Sequence, residues 1–189
     1  TVSKEGTYLN YLFPALLVLV VMFTSLLLGT TLVMMEKNSP AFLRNFFLPI
    51  RKITFITATY LTTVFMMLIQ VGIILGVSMF FLADMAGELP LMFLILLIAA
   101  SVFTFLGMGL GYLFTSEETG VLASISLGSM LLFLSGVILP LESVSPTLRG
   151  ITFFNPYVIA EKMIREVFLF KAGFAEIWID LLILFGYAV

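Results

Sequence analysis

The sequence lacks several residue types and motifs on which many enzyme active sites depend. Among its 189 residues there is no cysteine and no histidine, which excludes disulfides, thiolate nucleophiles, imidazole bases and Cys/His metal sites. No lysine follows a glycine, whereas a Walker-A loop needs a Gly-Lys pair to hold nucleotide phosphates. GxSxG and HExxH motifs are absent as well. We therefore predict that this chain is not an enzyme and binds no cofactor or metal of its own.

Charge is scarce and apolar residues are abundant. Charged residues make up 11% of the chain and hydrophobic residues 61%, against about 25% and about 45–50% in an average soluble domain. The net charge of −2 gives no reason to expect a nucleic-acid partner. The apolar runs exceed the roughly 18 residues that cross a bilayer, and the first is too long for a signal peptide. We predict one all-α integral membrane domain with five transmembrane helices, over residues 9–35, 53–83, 90–114, 121–139 and 174–189.

The longest polar interruption of the first half, residues 36–52, is typical of an amphipathic helix between two spans. Ser39-Pro40 combines an N-cap residue with proline at the first helical position, and the apolar side chains that follow recur on one helical face. That face comprises Phe42, Leu43, Phe46, Phe47 and Ile50. A helix over 39–50 could tether a loop to the membrane surface or dock a soluble partner, and its composition leaves both open.

A second polar segment, residues 140–171, predicts two short helices. Each begins at an N-cap residue followed by proline, which gives helices over 146–153 and, after Asn155-Pro156, over 156–170. Neither is long enough to cross a bilayer. The two helices form either a re-entrant hairpin flanked by the fourth and fifth spans or a pair lying on the surface. On the second helix, charges of opposite sign lie four residues apart: Glu161 with Arg165, and Lys162 with Glu166.

Polar and small side chains also occur inside the predicted spans. The second span contains Thr59, Thr63 and Gln70. The two threonine hydroxyls either bond to carbonyls of their own helix or line a polar path or a helix contact, and we expect Gln70 to face protein rather than lipid. Asp180 of the fifth span is a functional candidate because a carboxylate is costly in a membrane; alternatively, it lies near the rim and pairs with a basic residue of 149–171. Glycines that predict close helix packing are Gly72, Gly76, Gly107, Gly109 and Gly111.

Two stretches resemble the type-2 permeases of ABC transporters, an exporter family. Residues 34–62, MMEKNSPAFLRNFFLPIRKITFITATYLT, resemble the loop in which a Glu-led charged segment, an apolar pair, a proline and a basic residue precede the next span. Residues 113–169 resemble the later half of that family, with a Ser-Glu-Glu turn, a span ending in Ser-Gly, a Pro-Leu-Glu, an Asn-Pro and an arginine. The order of elements matches over nearly the whole chain, beginning at the second of the family's six spans.

The resemblance implies a permease that forms a dimer and works with two ATP-binding subunits, which hold ATP and Mg²⁺. Residues 36–52 would contain the cytosolic coupling helix, the polar turn 115–120 would be a smaller cytosolic contact, and 140–171 would be external. The implied coupling residues are Glu36, Arg44, Phe46, Phe47, Arg51, Glu117 and Glu118. The implied residues of the external hairpin are Pro140, Glu142, Asn155, Pro156, Glu161 and Arg165. The first span, including Leu17 and Leu28, and the hairpin would form the contact between copies.

Three functions are consistent with the sequence. The first is the permease subunit of an ATP-driven exporter in the plasma membrane, surrounded by lipid, that moves a hydrophobic or amphipathic substrate such as a lipid, drug or peptide. The second is an ion-coupled carrier or channel that uses Asp180 and Glu176. The third is a membrane scaffold without transport activity. Basic residues are divided too evenly between the two predicted sides to fix the orientation, so the orientation comes from the resemblance.

Overall fold

The structure is a computed structural model that describes residues 2–39, 52–81, 87–136, 150, 152 and 154–187. These residues contain helices and turns but no strand, so the prediction of an all-α fold is confirmed for them. The helices are α1 (Val2–Asn38), α2 (Lys52–Phe81), α3 (Leu89–Leu113), α4 (Glu117–Phe133), α5 (Pro156–Phe170) and α6 (Phe174–Gly186).

Three helices are long and apolar enough to cross a membrane. They contain the stretches Leu12–Asn38, Ile56–Met79 and Leu89–Leu113, which have 27, 24 and 25 residues. At 1.5 Å per residue each rises more than the roughly 30 Å of a hydrocarbon core. The length and composition of these helices agree with an integral membrane protein, and they coincide with the first three predicted spans.

α1 and α3 form the central pair of the bundle, and they run parallel. Both finish at the same end, where α1 stops at Asn38, α3 stops at Leu113 and α4 begins at Glu117; we call this the 114 end. α2 and α4 each pack against both central helices, while α6 packs against α3 and α5.

α5 lies across the two central helices near the opposite end. It packs against α1, α3 and α6, and its Phe168 ring lies 5.2 Å from that of Phe13 on α1. The expectation that the fourth and fifth spans would flank this helix is therefore wrong for the fourth. The contact with α4 that the structure gives is a hydrogen bond from Asn155 to the Leu131 carbonyl. Chain neighbours suggested that packing, but the apolar face of α5 is buried by α1 and α3 instead.

Glycines bring the backbones of α1 and α3 into direct contact. A Cβ on Gly29 would lie 2.7 Å from the Thr104 carbonyl oxygen, and one on Gly107 would overlap the Leu26 carbonyl. Further along, a Cβ on Gly111 would lie 2.8 Å from that of Val33. Of the predicted packing glycines, only Gly107 and Gly111 serve this contact. The other three (Gly72, Gly76 and Gly109) have nothing within 4 Å of an added Cβ.

A pair of buried hydroxyl groups fastens α4 to the same contact. Thr30 Oγ lies 2.8 Å from the Gly107 carbonyl and 2.6 Å from Ser124 Oγ, which in turn lies 3.0 Å from the Gly120 carbonyl. Each hydroxyl has one proton, so Ser124 donating to Thr30 and Thr30 donating to Gly107 satisfies both. α1, α3 and α4 thus form one block, held by backbone contact and by a shared buried hydrogen-bond chain.

The glycine contact predicts opposite effects for two neighbouring substitutions on α3. Gly107→Ala must separate α1 from α3, because its new methyl group would meet backbone atoms that cannot rotate away; we expect a loss of about 1–3 kcal/mol of stability. Gly109→Ala is the matched control, with open space around its Cβ and the better helix former in place. Thermal unfolding of the purified variants in detergent measures both. Equal melting temperatures for the two variants would contradict the packing described.

Candidate functional site

The predicted coupling residues fall partly within the described structure. Glu36, Glu117 and Glu118 all lie at the 114 end of the bundle. The amphipathic helix predicted over 39–50 lies outside the described residues apart from Ser39, as do Arg44, Phe46, Phe47 and Arg51.

The last turn of α1 is bonded to two different helices. Glu36 accepts a hydrogen bond of 2.5 Å from the Thr59 hydroxyl of α2. The next residue, Lys37, donates from Nζ to carbonyl oxygens at the end of α3, at 2.7 Å to Phe114, 3.0 Å to Gly111 and 3.4 Å to Tyr112. α3 has no basic residue in its own last turn, so Lys37 supplies the positive charge that its C-terminal carbonyls favour.

The start of α4 carries the two acidic coupling candidates on its surface. Ser116 is the N-cap: its backbone is extended and its hydroxyl accepts from the Thr119 amide at 3.3 Å. Glu117 and Glu118 occupy the first turn, where negative charge complements the exposed amides of a helix N-terminus. The polar turn predicted over 115–120 is therefore wrong from Glu117 onward, because the Ser116 cap starts the helix four residues before the predicted span.

The end of α1 and the start of α4 meet at the surface of the 114 end. They line a common surface depression that combines carboxylates, hydroxyls and two apolar side chains. Its lining residues are Asn38, Thr115, Ser116, Glu117, Glu118, Val121 and Leu122. The structure thus brings together the end of α1, from which the 40–51 segment leaves, and the acidic start of α4.

The residues predicted to line a polar path join α2 to α1. Gln70 donates to the Thr24 hydroxyl of α1 at 2.9 Å, and Thr59 bonds Glu36. Thr63 is buried and donates to the Thr59 carbonyl within its own helix, at 2.9 Å. Thr63 therefore bonds within its own helix, which is the first alternative for the threonines, whereas Thr59 lies at a helix contact, which belongs to the second. Gln70 faces α1 rather than lipid.

At the opposite end, the start of α5 is fixed by three side chains. Asn155 is the N-cap, with its carbonyl oxygen accepting from the Tyr157 amide at 3.0 Å and Pro156 at the first helical position, as predicted. Its amide nitrogen donates to the Leu131 carbonyl at 2.6 Å. The buried Tyr157 hydroxyl donates to the Ala15 carbonyl of α1 at 2.9 Å. Pro140 and Glu142, the remaining hairpin candidates, lie outside the described residues.

The charged residues of α5 are paired. Glu161 and Arg165 form the predicted ion pair, with the Glu161 side chain only 9% exposed. Lys162 lies 3.9 Å from Glu166 and donates to Asp180 of α6 at 2.8 Å. That hydrogen bond raises the pKa of Lys162 above its ordinary value. Asp180 therefore pairs with a basic residue of 149–171, the second reading that the sequence offered for it.

Sequence reasoning did not single out Lys37 or Tyr157. For Lys37 the available signal was a lysine directly after the Glu36 candidate, at the end of a span that precedes a helix without a basic last turn. For Tyr157 it was a tyrosine directly after an Asn-Pro cap, on a helix with an apolar face. Their partners are backbone carbonyls of other helices, which no local pattern identifies.

The Lys162–Asp180 contact predicts a small loss of stability for Asp180→Asn. Because the Lys162 side chain is 54% exposed, we expect its loss to cost less than about 1 kcal/mol of stability. Because Lys162 also faces Glu166 at 3.9 Å, a double-mutant cycle with Lys162→Met isolates the 162–180 contact. The double variant should lose less stability than the sum of the two single losses. Strictly additive losses would mean that the carboxylate at 180 acts independently of Lys162.

Comparison with known proteins assigns the family. The model of the ABC-2 family transporter proteins matches residues 3–189. Neither the curated proteins nor the solved structures gave a match to the chain. The match covers all six helices, including both elements of the 114 end. The chain belongs to the ABC-2 transporter family, as a multi-pass membrane permease subunit of an ABC transporter that associates with ATPase subunits.

Proposed function

We propose that the chain is the permease subunit of an ATP-driven exporter and that its 114 end is the contact with the ATP-binding subunits. The observation that carries the proposal is one surface depression, lined by Asn38 at the end of α1, just before the predicted coupling helix, and by the start of α4, which the family resemblance gives as the second cytosolic contact. The 114 end then faces the cytosol, and the α5 end faces outward. ATP and Mg²⁺ belong to two partner subunits, and the permease acts as two copies.

The chemistry of the 114 end suits a protein partner with basic side chains. Glu117 and Glu118 are exposed at the first turn of α4, and Leu122, one turn further on, is 63% exposed. A carboxylate pair beside apolar surface favours a partner that presents lysine or arginine next to an apolar anchor. The basic residues predicted for the coupling helix, Arg44 and Arg51, would add a second contact of opposite charge.

The depth of Asn155 supports a re-entrant arrangement of 140–171. Leu131, which accepts its hydrogen bond, lies about 21 Å along α4 from Glu117 at 1.5 Å per residue, within a hydrocarbon layer of about 30 Å. α5 then crosses α1, since Tyr157 bonds Ala15 while Phe168 lies against Phe13, and α6 returns beside α5. The Tyr187 hydroxyl of α6 donates to the Phe154 carbonyl at 2.8 Å, so the inner ends of the two helices meet. The proposal keeps the five-span topology, in which α4 and α6 belong to the last two spans.

The contact between two copies must differ in detail from the expectation for the first span. Leu17 is buried within the chain at 4% exposure, and Leu28 packs against its core. The side chains that α1 exposes include Leu16 and Val20, at 53% and 40%. Among the α1 side chains described from Leu12 onward, a cysteine scan for crosslinks therefore belongs on Leu16 and Val20.

The apolar character of the bundle supports a hydrophobic or amphipathic substrate of the lipid, drug or peptide class. Asp180 does not favour an ion-coupled mechanism, because its carboxylate holds Lys162 at 2.8 Å. Glu176, the other carboxylate of that hypothesis, is exposed in the first turn of α6.

Charge reversal at the 114 end tests the proposed contact. Glu117→Lys with Glu118→Lys should reduce recovery of the ATP-binding subunit with the affinity-tagged permease at least about tenfold, since two attractive rim charges become repulsive. The ATP-binding subunit is identified by its Walker-A and Walker-B motifs after purification from the native membrane, and is quantified by mass spectrometry.

Glu176→Lys is the matched control for this experiment. It reverses an exposed glutamate in the first turn of a helix, as the test does, but near the opposite end of the bundle. The control should retain the full amount of the ATP-binding subunit. If the double variant retains as much as the control, the 114 end is not the contact.

Cysteine labelling tests the re-entrant hairpin in this cysteine-free chain. Phe154→Cys should react slowly with a membrane-impermeant maleimide added outside, although Phe154 is 73% exposed on the isolated chain, because lipid or the second copy would cover it. Lys171→Cys, at the outer end of α5, should react fast. Equal, fast reaction at both positions would indicate a surface pair of helices instead.

A further inference from the structure

Lys37 occupies a position that joins the two proposed cytosolic contacts. It lies three residues before the 40–51 segment, at the end of α1. Its amine reaches the carbonyl of Phe114, two residues before the Ser116 cap that begins α4 and its exposed glutamates. The side chain therefore connects the end of α1, which leads into the 40–51 segment, to the turn that leads into α4.

The Lys37 amine joins α1 to α3 one turn beyond the last glycine contact between the two helices. Backbone contact between the two helices runs from Gly29 to Val33, which meets Gly111. One turn after Val33 the helices are joined by Lys37 Nζ, with its three carbonyl oxygens at 2.7 to 3.4 Å. Because an ammonium has three donors and helix-end carbonyls lack intrahelical partners, this bond is charge-assisted and well matched.

The neighbouring Glu36 has a different role in the same turn. Its bond to Thr59 connects α1 to α2, not to α3 or α4. The two residues thus divide the connections of α1: Glu36 toward the helix that follows the 40–51 segment, and Lys37 toward the α3–α4 turn. Loss of either bond should leave the other in place, which makes the two separable by substitution.

We propose that Lys37 is a positioning residue that makes the end of α1 and the start of α4 move as one unit during the ATP cycle. The proposal rests on the proposed function, because it needs ATP-binding subunits that displace the 114 end. Without Lys37, the last turn of α1 would be free to separate from the α3–α4 turn when the partner subunits close. Displacement at one contact would then no longer be transmitted to the other.

A distance measurement across the junction tests this directly. Spin labels on Met35→Cys and Leu113→Cys report the α1–α3 separation, and both side chains are exposed, at 62% and 76%. The complex with its ATP-binding subunits, whose own cysteines are replaced, is reconstituted in nanodiscs with one labelled permease copy. Electron–electron resonance gives the distance without nucleotide and after trapping with ADP and vanadate.

We expect one narrow distance that is the same in both states for the protein with Lys37. Lys37→Met and Lys37→Gln should broaden it or shift it by at least about 3 Å on trapping, while Lys37→Arg should restore the narrow distance. Thr59→Val is the matched control, since it removes the Glu36 bond and should leave the Met35–Leu113 distance unchanged. A merely structural role would lower the melting temperature without making the distance depend on nucleotide.

A second measurement separates the failure of this proposal from that of the proposed function. In singly labelled Leu113→Cys, the distance between the two copies should change on trapping if ATP drives the permease. No change there would overturn the proposed function. A change there, with Lys37→Met and Lys37→Gln both retaining the narrow Met35–Leu113 distance in both states, would overturn the role of Lys37 alone.

Discussion

The rest of the bundle depends on the direct approach of two backbones, those of α1 and α3. At Gly29 and Gly107 no side chain separates the helices. The Thr104 carbonyl oxygen therefore faces the Cα of Gly29, and the Leu26 carbonyl oxygen faces the Cα of Gly107. In a membrane, lipid competes equally for apolar side chains, and close backbone packing is one of the few advantages that helix contact retains. The parallel register that this contact sets places Lys37 beside Phe114. The bonds from Lys37 to the end of α3 are a consequence of that register.

Polar groups inside this apolar bundle are used to connect helices. Ser124 of α4 donates to Thr30 of α1, Thr30 donates to the Gly107 carbonyl of α3, and Gln70 of α2 donates to Thr24 of α1. Each bond satisfies a group that would be costly to leave unpaired in hydrocarbon, and each joins a different pair of helices. The same reasoning applies to the Glu161–Arg165 pair on α5, where the partners lie on one helix and neutralise each other before the helix is buried. Polar side chains that the sequence offers for a polar path, such as Thr59 and Gln70, join helices to one another in the structure.

The sequence predicts local features of this fold well because they depend on few residues. Apolar run length alone places α1, α2 and α3, and the Asn155-Pro156 pair alone marks the start of α5. Features that depend on partners were out of reach. Gly107 and Gly109 are equivalent on an isolated helix, and only the position of α1 decides which of them is packed. The packing of α5 on α1 and α3 also depends on tertiary partners. Proximity along the chain predicts packing against α4 and α6 instead. Lys37 was passed over because its acceptors are backbone carbonyls 74 to 77 residues away.

α1 has two kinds of helix contact, one with α3 and α4 and one with α2, and they differ in how much rearrangement a sliding motion requires. Against α3 and α4, the helix is interlocked by backbone atoms and by a buried hydroxyl chain, so displacement requires the helices to separate. Against α2, its bonds are made by flexible side chains, including Ser25 with Met67 at 3.1 Å and Thr24 with Gln70 at 2.9 Å. The glycines of α2, Gly72 and Gly76, take no part in the packing. Side chains can change rotamer while a helix slides, whereas interlocked backbones cannot. Sliding of α1 therefore costs less against α2 than against α3 and α4.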